Sequence, residues 1–376
     1  MNLWIDSNNK LQKMCDQLAE VATIAIDTEF IRTDTFFPKI ALIQISNGDQ
    51  CWLIDVLAID QFENLKTLLE DPSRTLIFHA CAEDLEVLDH ALDIRPVNIF
   101  DTQIAAGITN VGYCMGYARL VHKMFDVELD KQETRSDWLK RPLTDRQLDY
   151  AAVDVLYLHR IHEILSEALK EQQRQEWFAE ETVAMFDMAA GRKDNSDYYL
   201  RVKGAWRLQG KSLSALRRLC DWREETARTM DKPRSHIIKD AILLEIARRL
   251  PTAEEQLHGI EDWYLRSVKR YGSMVLQQIQ YSADDALTEA IPEPLTKAAN
   301  TVMKAMRSAL KAVAEAQQIP QEFLSNKKEL EVILRSALDG DVRGQYEWPA
   351  RLNQGWREAS VKPAIQAVLE STDTLQ

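Results

Sequence analysis

The sequence predicts an α/β domain, built on a mixed sheet flanked by helices, followed by two all-helical domains. Strand-like apolar runs come first, strands and helices alternate after them, and only helical periodicity is found from about residue 203 onward. A chain of 376 residues is long enough for two or three hydrophobic cores. We therefore expect domains at residues 1–195, 203–288 and 295–376.

Four runs have the composition of strands. The first, VATIAI within residues 21–29, is continuously apolar, which is typical of a buried central strand. Residues 39–46 and 51–57 follow, with NGDQ between them as a hairpin turn. Residues 75–79 make the fourth run. A sheet of these strands would bury both of its faces under helices.

Helical spacing begins after the fourth strand. The stretches EDLEVLDHAL, DTQIAAGI and ARLVHKMF each place apolar residues three or four apart. Thr144 and Gln147 have the spacing of a capping box, so a long helix is expected to begin near Asp145. That helix carries Tyr150 and Asp154.

The helical half contains a weak internal repeat. Five positions recur 87 residues later: Ala227, Pro233, Ile237, Leu243 and Ile246 correspond to Ala314, Pro320, Leu324, Leu330 and Ile333. This offset predicts two related helical modules. The stretch 281–294, which contains Pro292 and Pro294, is the expected junction between them.

Composition places the chain among ordinary globular proteins, with 45% hydrophobic and 28% charged residues. No stretch approaches the roughly 20 apolar residues of a membrane span, and the amino terminus lacks a basic segment followed by an apolar one. The five cysteines are scattered without CxxC spacing, which argues against a zinc site and a disulfide framework. We expect a cytoplasmic protein with reduced thiols and no membrane partner.

Charge is distributed unevenly along the chain. The overall net charge is −13, yet residues 201–250 carry thirteen Lys and Arg against six Asp and Glu, a local net charge of +7. Such a patch is typical of phosphate-backbone binding. The residues of this basic stripe are Arg217, Arg218, Arg223, Arg228, Arg234 and Lys239. The alternative is a solvated helix face whose arginines pair with neighbouring acids.

Asp27 and Glu29 end the most apolar strand. Side chains two apart on a strand project from the same face, so both carboxylates can converge on one point. A strand that ends in solvated acids is the simpler interpretation of this pair alone. Unpaired charge near a core is costly, however, and a bound cation is one compensation.

Three further residues could join this pair. Asp84 lies in the first helical turn after the fourth strand, where an acid also complements the helix dipole, and Glu83 is a competing candidate. Tyr150 and Asp154 share one face of their helix. The simpler interpretation is that Tyr150 packs in the core and Asp154 is solvated.

Taken together, the acids predict a metal site. Oxygen ligands without nearby Cys or repeated His spacing favour magnesium or manganese over zinc. Two such ions about 3.5–4 Å apart stabilise the attacking and leaving oxygens of an in-line phosphoryl displacement. The reaction class indicated is phosphodiester hydrolysis.

At this spacing the residues also resemble a known family. DTEF at 27–30, HxxxxD at 79–84 and YxxxD at 150–154 resemble the three exonuclease motifs of the tyrosine-bearing branch of the DEDD superfamily. FHACAEDLEVL and DWLKRPLTDRQLDYAAVDVLYL are similar, more narrowly, to the ribonuclease D family. WREETARTMDKPRSHIIKD is similar to the HRDC domain, and residues 309–333 resemble a second, divergent copy.

The resemblance implies an RNase H-like catalytic fold and a 3′→5′ exoribonuclease. Nucleoside 5′-monophosphates would be released from RNA with a free 3′ end, such as tRNA precursors, with two Mg²⁺ or Mn²⁺ ions as cofactors. By motif, Asp27, Glu29 and Asp154 would hold one ion, and Asp27 would bridge to the second. Asp84 would support the second ion partly through water, and Tyr150 would orient the attacking water.

The resemblance and the loop pattern also suggest residues that contact substrate: Thr28, Phe30, Phe36, Phe37 and His79. His79 would contact the 3′-terminal nucleotide, with a buried histidine that ends its strand as the alternative. Phe36 or Phe37 could stack on a terminal base. Core packing is favoured for at least one of them.

Two other functions stay open on the sequence alone. One is a catalytically silent RNA-binding protein in which the carboxylates are structural. The other is a related exonuclease that acts on DNA, because recognition of the ribose 2′-OH depends on geometry that motifs do not encode. No obligate protein partner is inferred.

Overall fold

The computed structural model describes residues 2–130, 133, 136–191, 197–282, 289–339 and 346–371. The expected domain ends at 195, 288 and 376, and most of the junction before residue 289, lie outside these residues. Contacts divide the chain into two compact units, Met1–Phe30 with Ile40–Asp187 and Leu295–Gln376, and Ile31–Lys39 with Met188–Pro294. The predicted domain boundaries stay predictions, because these units combine separate segments of the chain, whereas the predicted domains are continuous.

One mixed sheet organises the first unit. Its strands are β1 (Asn2–Ile5), β2 (Thr23–Ile31), β3 (Lys39–Ser46), β4 (Cys51–Asp55), β5 (Thr75–Phe78) and β6 (Ile99–Asp101), in the order β1-β4-β3-β2-β5-β6. β3 and β4 form the expected antiparallel hairpin, with Ser46 opposite Cys51. The other assigned pairs, β1 with β4, β2 with β5 and β5 with β6, are parallel. The prediction of a mixed sheet is confirmed, and so is the central position of the apolar run in residues 21–29, which forms β2.

Two strands were not predicted. β1 has four residues near the amino terminus and β6 has three, so neither is long enough for a period of two to stand out. These two short strands are defined by their backbone pairing with β4 and β5 and not by a local sequence pattern. Both lie at the outer positions of the sheet.

The helices between and after the strands cover the sheet. They are α1 (Asn8–Leu18), α2 (Glu63–Leu69), α3 (Ala82–Leu92), α4 (Thr102–Ile108), α5 (Tyr117–Phe125), α6 (Asp145–Leu156), α7 (Leu158–Glu171) and α8 (Gln175–Gly191). α6 begins at Asp145, as predicted. The side chains and backbones of Thr144 and Gln147 make both hydrogen bonds of the capping box.

The second unit is helical in its described part. Its helices are α9 (Gly210–Thr229), α10 (Arg234–Ile237), α11 (Asp240–Arg249), α12 (Glu254–Leu257) and α13 (Leu265–Ser282). Leu216 and Leu219 of α9, Leu243 of α11 and Val275 of α13 are completely buried in its core. The short segment Ile31–Lys39 belongs to the same unit.

The last helices repeat this order at the spacing seen in the sequence. They are α14 (Lys297–Gln317), α15 (Gln321–Leu324), α16 (Lys327–Asp339) and α17 (Gly355–Glu370). α15 and α16 begin 87 residues after α10 and α11, and Pro233 and Pro320 precede the two short helices. The predicted helical character of this half is confirmed for the described residues.

Helices α14 to α17 share a hydrophobic core with the sheet unit. The cluster that contains Ala25 of β2 and Ile108 of α4 also contains Leu310, Leu324 and Ile365. A separate cluster on the other side of β2 contains Ile24 and Ile26. A side chain added at Gly107 would overlap the ring of Phe323, which shows how closely α4 and α15 approach. None of the described helices has the length and apolarity that a membrane crossing requires.

Candidate active site

Two elements bring three of the predicted carboxylates together. Asp27 and Glu29 lie on β2, and Asp154 lies on α6. One carboxylate oxygen from each lies within 4.8 Å of the others. Among the described residues no other group of His, Cys, Asp or Glu has the spacing of a metal site. A set of oxygen donors at this separation fits a hard divalent cation such as Mg²⁺ or Mn²⁺.

Asp84, on α3, is not one of these three clustered carboxylates, but its charge contributes to raising the pKa of Asp27 and Glu29. It is buried, and its Oδ1 accepts a hydrogen bond from the hydroxyl of Thr28 at 2.5 Å. Glu83, the competing candidate in the same turn, is exposed. Thr28 stands between Asp27 and Glu29 on β2, and its hydroxyl is therefore engaged with α3 within the protein.

Burial and mutual repulsion oppose ionisation of these carboxylates. Burial, followed by the charges of Asp84, Asp154 and Glu29, raises the pKa of Asp27 well above its usual range. Burial and the neighbouring carboxylates raise the pKa of Glu29 to about 9. Burial raises the pKa of Asp84 to about 6 and that of Asp154 to about 7. A cation at this position would relieve the repulsion and release the bound protons.

Tyr150 combines the two interpretations left open by the sequence. Its hydroxyl donates a hydrogen bond to the Asp154 carboxylate, and this bond partly offsets the rise in the Asp154 pKa. Its ring lies 6.1 Å, centroid to centroid, from that of Trp138, which is buried. The ring therefore packs and the hydroxyl belongs to the acidic site.

Tyr117 is a neighbour of the site that the sequence analysis missed. Its hydroxyl donates to the carbonyl of Val153 at 2.8 Å and accepts from the N–H of Tyr157 at 3.1 Å. In an uninterrupted helix these two backbone groups would hydrogen-bond directly to each other. The Tyr117 hydroxyl lies between them at the point where α6 ends and α7 begins. Burial, with smaller contributions from Asp154 and Asp27, raises the pKa of Tyr117.

His79 is tied to the protein interior through both ring nitrogens. Nε2 lies 2.8 Å from the carbonyl of Met115, and Nδ1 lies 2.8 Å from the hydroxyl of Thr102. Because a carbonyl only accepts, Nε2 carries the proton. Burial lowers the pKa of His79. The side chain is half-buried, and its contact with the 3′-terminal nucleotide stays a prediction.

The aromatic candidates occupy different positions. Phe30 is half-buried and packs against the core of the sheet unit. Phe36 is buried in the core of the second unit, and Phe37 packs against it edge-on with centroids 4.9 Å apart. The carboxylate of Asp231 accepts the N–H groups of both Phe36 and Phe37, at 2.9 and 3.0 Å. Core packing thus accounts for Phe36.

Three arginines of the basic stripe are held by acidic partners. Arg223 is buried and donates to the carboxylate of Asp240 at 2.7 Å. Arg228 and Arg234 both donate to Glu224, at 2.9 and 2.8 Å. Pairing with neighbouring acids, the alternative weighed for this stripe, describes these three.

The other three basic residues are more accessible. Arg217 and Lys239 are exposed, and Arg218 is half-buried with its guanidinium 5.7 Å from the ring centroid of Tyr281. Burial of Arg223 is the clearest departure from the expected phosphate contacts, since a side chain 1% exposed does not meet a polyanion.

Two known families match successive parts of the chain. The 3′-5′ exonuclease family matches residues 2–170, and the HRDC domain family matches residues 212–279. Ribonuclease D of Pseudomonas paraeruginosa is 38% identical over 371 residues, which cover 98% of this chain and 97% of that protein. Ribonuclease D of Escherichia coli is 30% identical over 374 residues, 97% of this chain and 98% of that protein.

Solved structures give the same result. The chain is similar to a crystal structure of Escherichia coli RNase D, described as an exoribonuclease involved in structured RNA processing. The TM-score is 0.87 at 30% identity, and the match covers 98% of this chain and 99% of the other. The catalytic core of RRP6 from Trypanosoma brucei has a TM-score of 0.56 at 22% identity over 75% of this chain and 80% of its own, which shows a shared fold.

Proposed function

The chain belongs to the ribonuclease D family of 3′–5′ exoribonucleases, and we propose that it removes nucleoside 5′-monophosphates from RNA 3′ ends by metal-dependent hydrolysis. The observation that carries the metal-dependent part is the convergence of Asp27, Glu29 and Asp154 within 4.8 Å. Raised pKa values at these carboxylates support it, because such a cluster is stable in its ionised form only with a countercharge.

We assign the ligands as follows. Asp27, Glu29 and Asp154 would hold one divalent ion. By the family resemblance, Asp27 would also face a second ion and Asp84 would support it. When bound, Mg²⁺ or Mn²⁺ ions would acidify water and neutralise charge on the phosphate and the leaving oxygen. The hydrogen bond from Thr28 holds Asp84 in place for this role.

The protein groups would position the reacting water and the scissile phosphate. Water attacks phosphorus, the bond between phosphorus and the 3′ oxygen of the preceding nucleotide breaks, and that oxygen leaves with a proton as the new 3′ hydroxyl. The hydroxyl of Tyr150, already held against Asp154, is placed to orient the water. Positioning of this kind supplies much of the rate in phosphoryl transfer.

RNA would be held partly by the second unit. We propose Arg217, Arg218 and Lys239 as phosphate contacts. Arg217 and Lys239 are exposed and Arg218 is half-buried, which makes them more accessible to RNA than the buried Arg223. Contacts of this kind position a strand without reading its sequence. Structured precursors such as tRNA are the proposed substrates, in line with the description of the Escherichia coli relative. Five free thiols suit a cytoplasmic location.

One assay tests the proposal. Purified protein is incubated with Mg²⁺ and matched RNA and DNA oligomers labelled at the 5′ end, with chelator and Asp154→Asn as controls. We expect a ladder that shortens from the 3′ end on RNA and disappears in both controls. Chelator-insensitive digestion would contradict the metal mechanism, equal digestion of DNA would favour a DNA exonuclease, and binding without digestion would indicate a silent RNA-binding protein.

A further inference from the structure

Arg141 makes an unusually complete set of hydrogen bonds just before α6. Its Nε and Nη2 donate to the carboxylate of Asp55 at 2.7–3.0 Å. Nη2 also donates to the carbonyl of Ala41 at 2.8 Å, and Nη1 donates to the carbonyls of Trp138 and Lys140 at 2.7 and 3.0 Å. Asp55 ends β4 and is buried, so the guanidinium joins this segment to the sheet.

The segment held by Arg141 carries Trp138. The Trp138 side chain is 1% exposed, and its ring is tilted 42° against that of Tyr150 with 6.1 Å between centroids. The side chain of Gln147, a member of the capping box of α6, also donates to the carbonyl of Asp137 at 3.4 Å. The position of the Trp138 ring is therefore set from Arg141 on one side and α6 on the other.

We propose that Arg141 is a positioning residue for Tyr150. The Arg141–Asp55 pair holds the backbone at Trp138, the Trp138 ring limits where the Tyr150 ring can lie, and the Tyr150 hydroxyl is thereby kept on Asp154. Arg141, Asp55 and Trp138 themselves need not touch RNA or a metal ion. The inference deepens the proposed function and rests on it.

A lysine at position 141 separates positioning from charge. Lys keeps the positive charge beside Asp55 but lacks the planar fork that reaches the carboxylate and three carbonyls together. We expect Arg141→Lys to lower kcat on RNA by about tenfold, with KM for RNA and the affinity for Mn²⁺ alone changed less than about twofold.

The deciding measurement is a double-mutant cycle with Tyr150→Phe. If Arg141 acts through the tyrosine hydroxyl, Arg141→Lys should lower kcat less than about twofold once that hydroxyl is absent. A tenfold loss in both backgrounds, or a parallel loss of Mn²⁺ binding, would overturn the inference. Asp55→Asn removes the other half of the pair and should reproduce the same pattern, so the test survives poor folding of either variant.

Arg95→Lys is the matched control. Arg95 pairs with Asp89 and Asp93 at an exposed position of the same unit, at 2.7 and 2.8 Å. Its substitution should leave kcat, KM and Mn²⁺ binding unchanged. Failure of the proposed function would show itself separately, because the unsubstituted protein would then not digest RNA at all.

Discussion

The indole rings of Trp177 and Trp356 stack with their centroids 4.4 Å apart and their planes 13° apart. Trp177 belongs to α8 and Trp356 to α17, so the stack joins the last helical module to α8. The guanidinium of Arg174 lies 5.0 Å from the Trp177 ring and donates to the carbonyls of Ile108 and Gln318. These contacts indicate a stabilising role for the last module.

Trp356→Ala is expected to lower the free energy of unfolding by about 2 kcal/mol, less than for a fully buried tryptophan because the ring is half-buried. Urea unfolding of the purified protein measures this loss. Trp356→Phe keeps an aromatic partner for Trp177 and should lose about half as much. Equal stability of all three proteins would show that the stack contributes nothing.

Arg357 and Glu181 form a buried ion pair in the same region. Arg357 is 1% exposed, and its Nε donates to the carbonyl of Phe323 at 2.7 Å. Arg357→Met should cost about 3 kcal/mol in unfolding free energy, because Glu181 then keeps only its longer contact with Arg351, at 3.5 Å, in a poorly hydrated position.

The control for this pair is the double variant Arg357→Met with Glu181→Gln. Removing both charges should recover at least about 1 kcal/mol of the loss. Strictly additive losses in denaturant unfolding would mean that the two charges do not stabilise each other.

Tyr117→Phe removes only the hydroxyl that lies between the Val153 carbonyl and the Tyr157 N–H. We expect the backbone beside Asp154 to shift and the free energy of unfolding to fall by about 1 kcal/mol. If the binding free energy of Mn²⁺ changes by a similar amount, its affinity should weaken by roughly threefold to tenfold. Titration of Mn²⁺ followed by its solution EPR signal measures the affinity. Tyr113→Phe, at an exposed tyrosine, should leave it unchanged.

Without metal, the acidic cluster should make stability fall as pH rises. The pKa values of about 7 for Asp154 and about 9 for Glu29 exceed the unfolded values of about 3.9 and 4.3, so the folded state binds more protons between them. Stabilisation from these protons is complete below the unfolded pKa values and is lost as pH rises through the folded ones.

Thermal unfolding in chelator between pH 5 and 8 checks this. We expect the Tm of the unsubstituted protein to fall relative to Asp154→Asn, on the order of 5 °C. The comparison is needed because burial lowers the pKa of His79, which acts in the opposite direction. Saturating Mg²⁺ should remove most of the difference. Parallel pH profiles of the two proteins in chelator would contradict the prediction.

The basic residues of the second unit should determine part of the salt dependence. Each phosphate contact contributes about 0.7 to the slope of log affinity against log salt for single strands, so alanines at Arg217, Arg218 and Lys239 together should flatten it by about 2. Arg248→Ala is the control, because Arg248 is paired with Glu245 on the same unit. RNA binding measured at several salt concentrations, with Asp154→Asn to prevent digestion, gives the slopes.

Point substitutions are preferable to deletion of residues 203–376 for this purpose. Such a deletion would also remove α14 to α17, whose Leu310 and Ile365 lie in the same core as Ala25 and Ile108. A changed slope in the truncated protein would then mix lost phosphate contacts with lost stability. An unchanged slope in the triple variant would mean that these three residues are only a solvated face.

Local patterns determined much of this protein. The apolar run before Asp27, the capping box before α6 and the 87-residue repeat are properties of short stretches, and each predicted an element that the structure contains. The motif carboxylates could also be found, because strand and helix periodicity dictate which side chains share a face. β1 and β6 were not predicted, because strands of four and three residues are too short to show a period of two.

Only the tertiary structure decided which side chains serve the site and which serve the core. Nothing in the spacing of Arg223 distinguishes it from Arg217, yet Asp240 and the surrounding helices bury one and leave the other exposed. Tyr117 reaches α6 from 36 residues away, and Arg141 reaches Asp55 from 86. Periodicity describes neighbours within one element, whereas burial and hydrogen-bond partners depend on elements that meet only after folding.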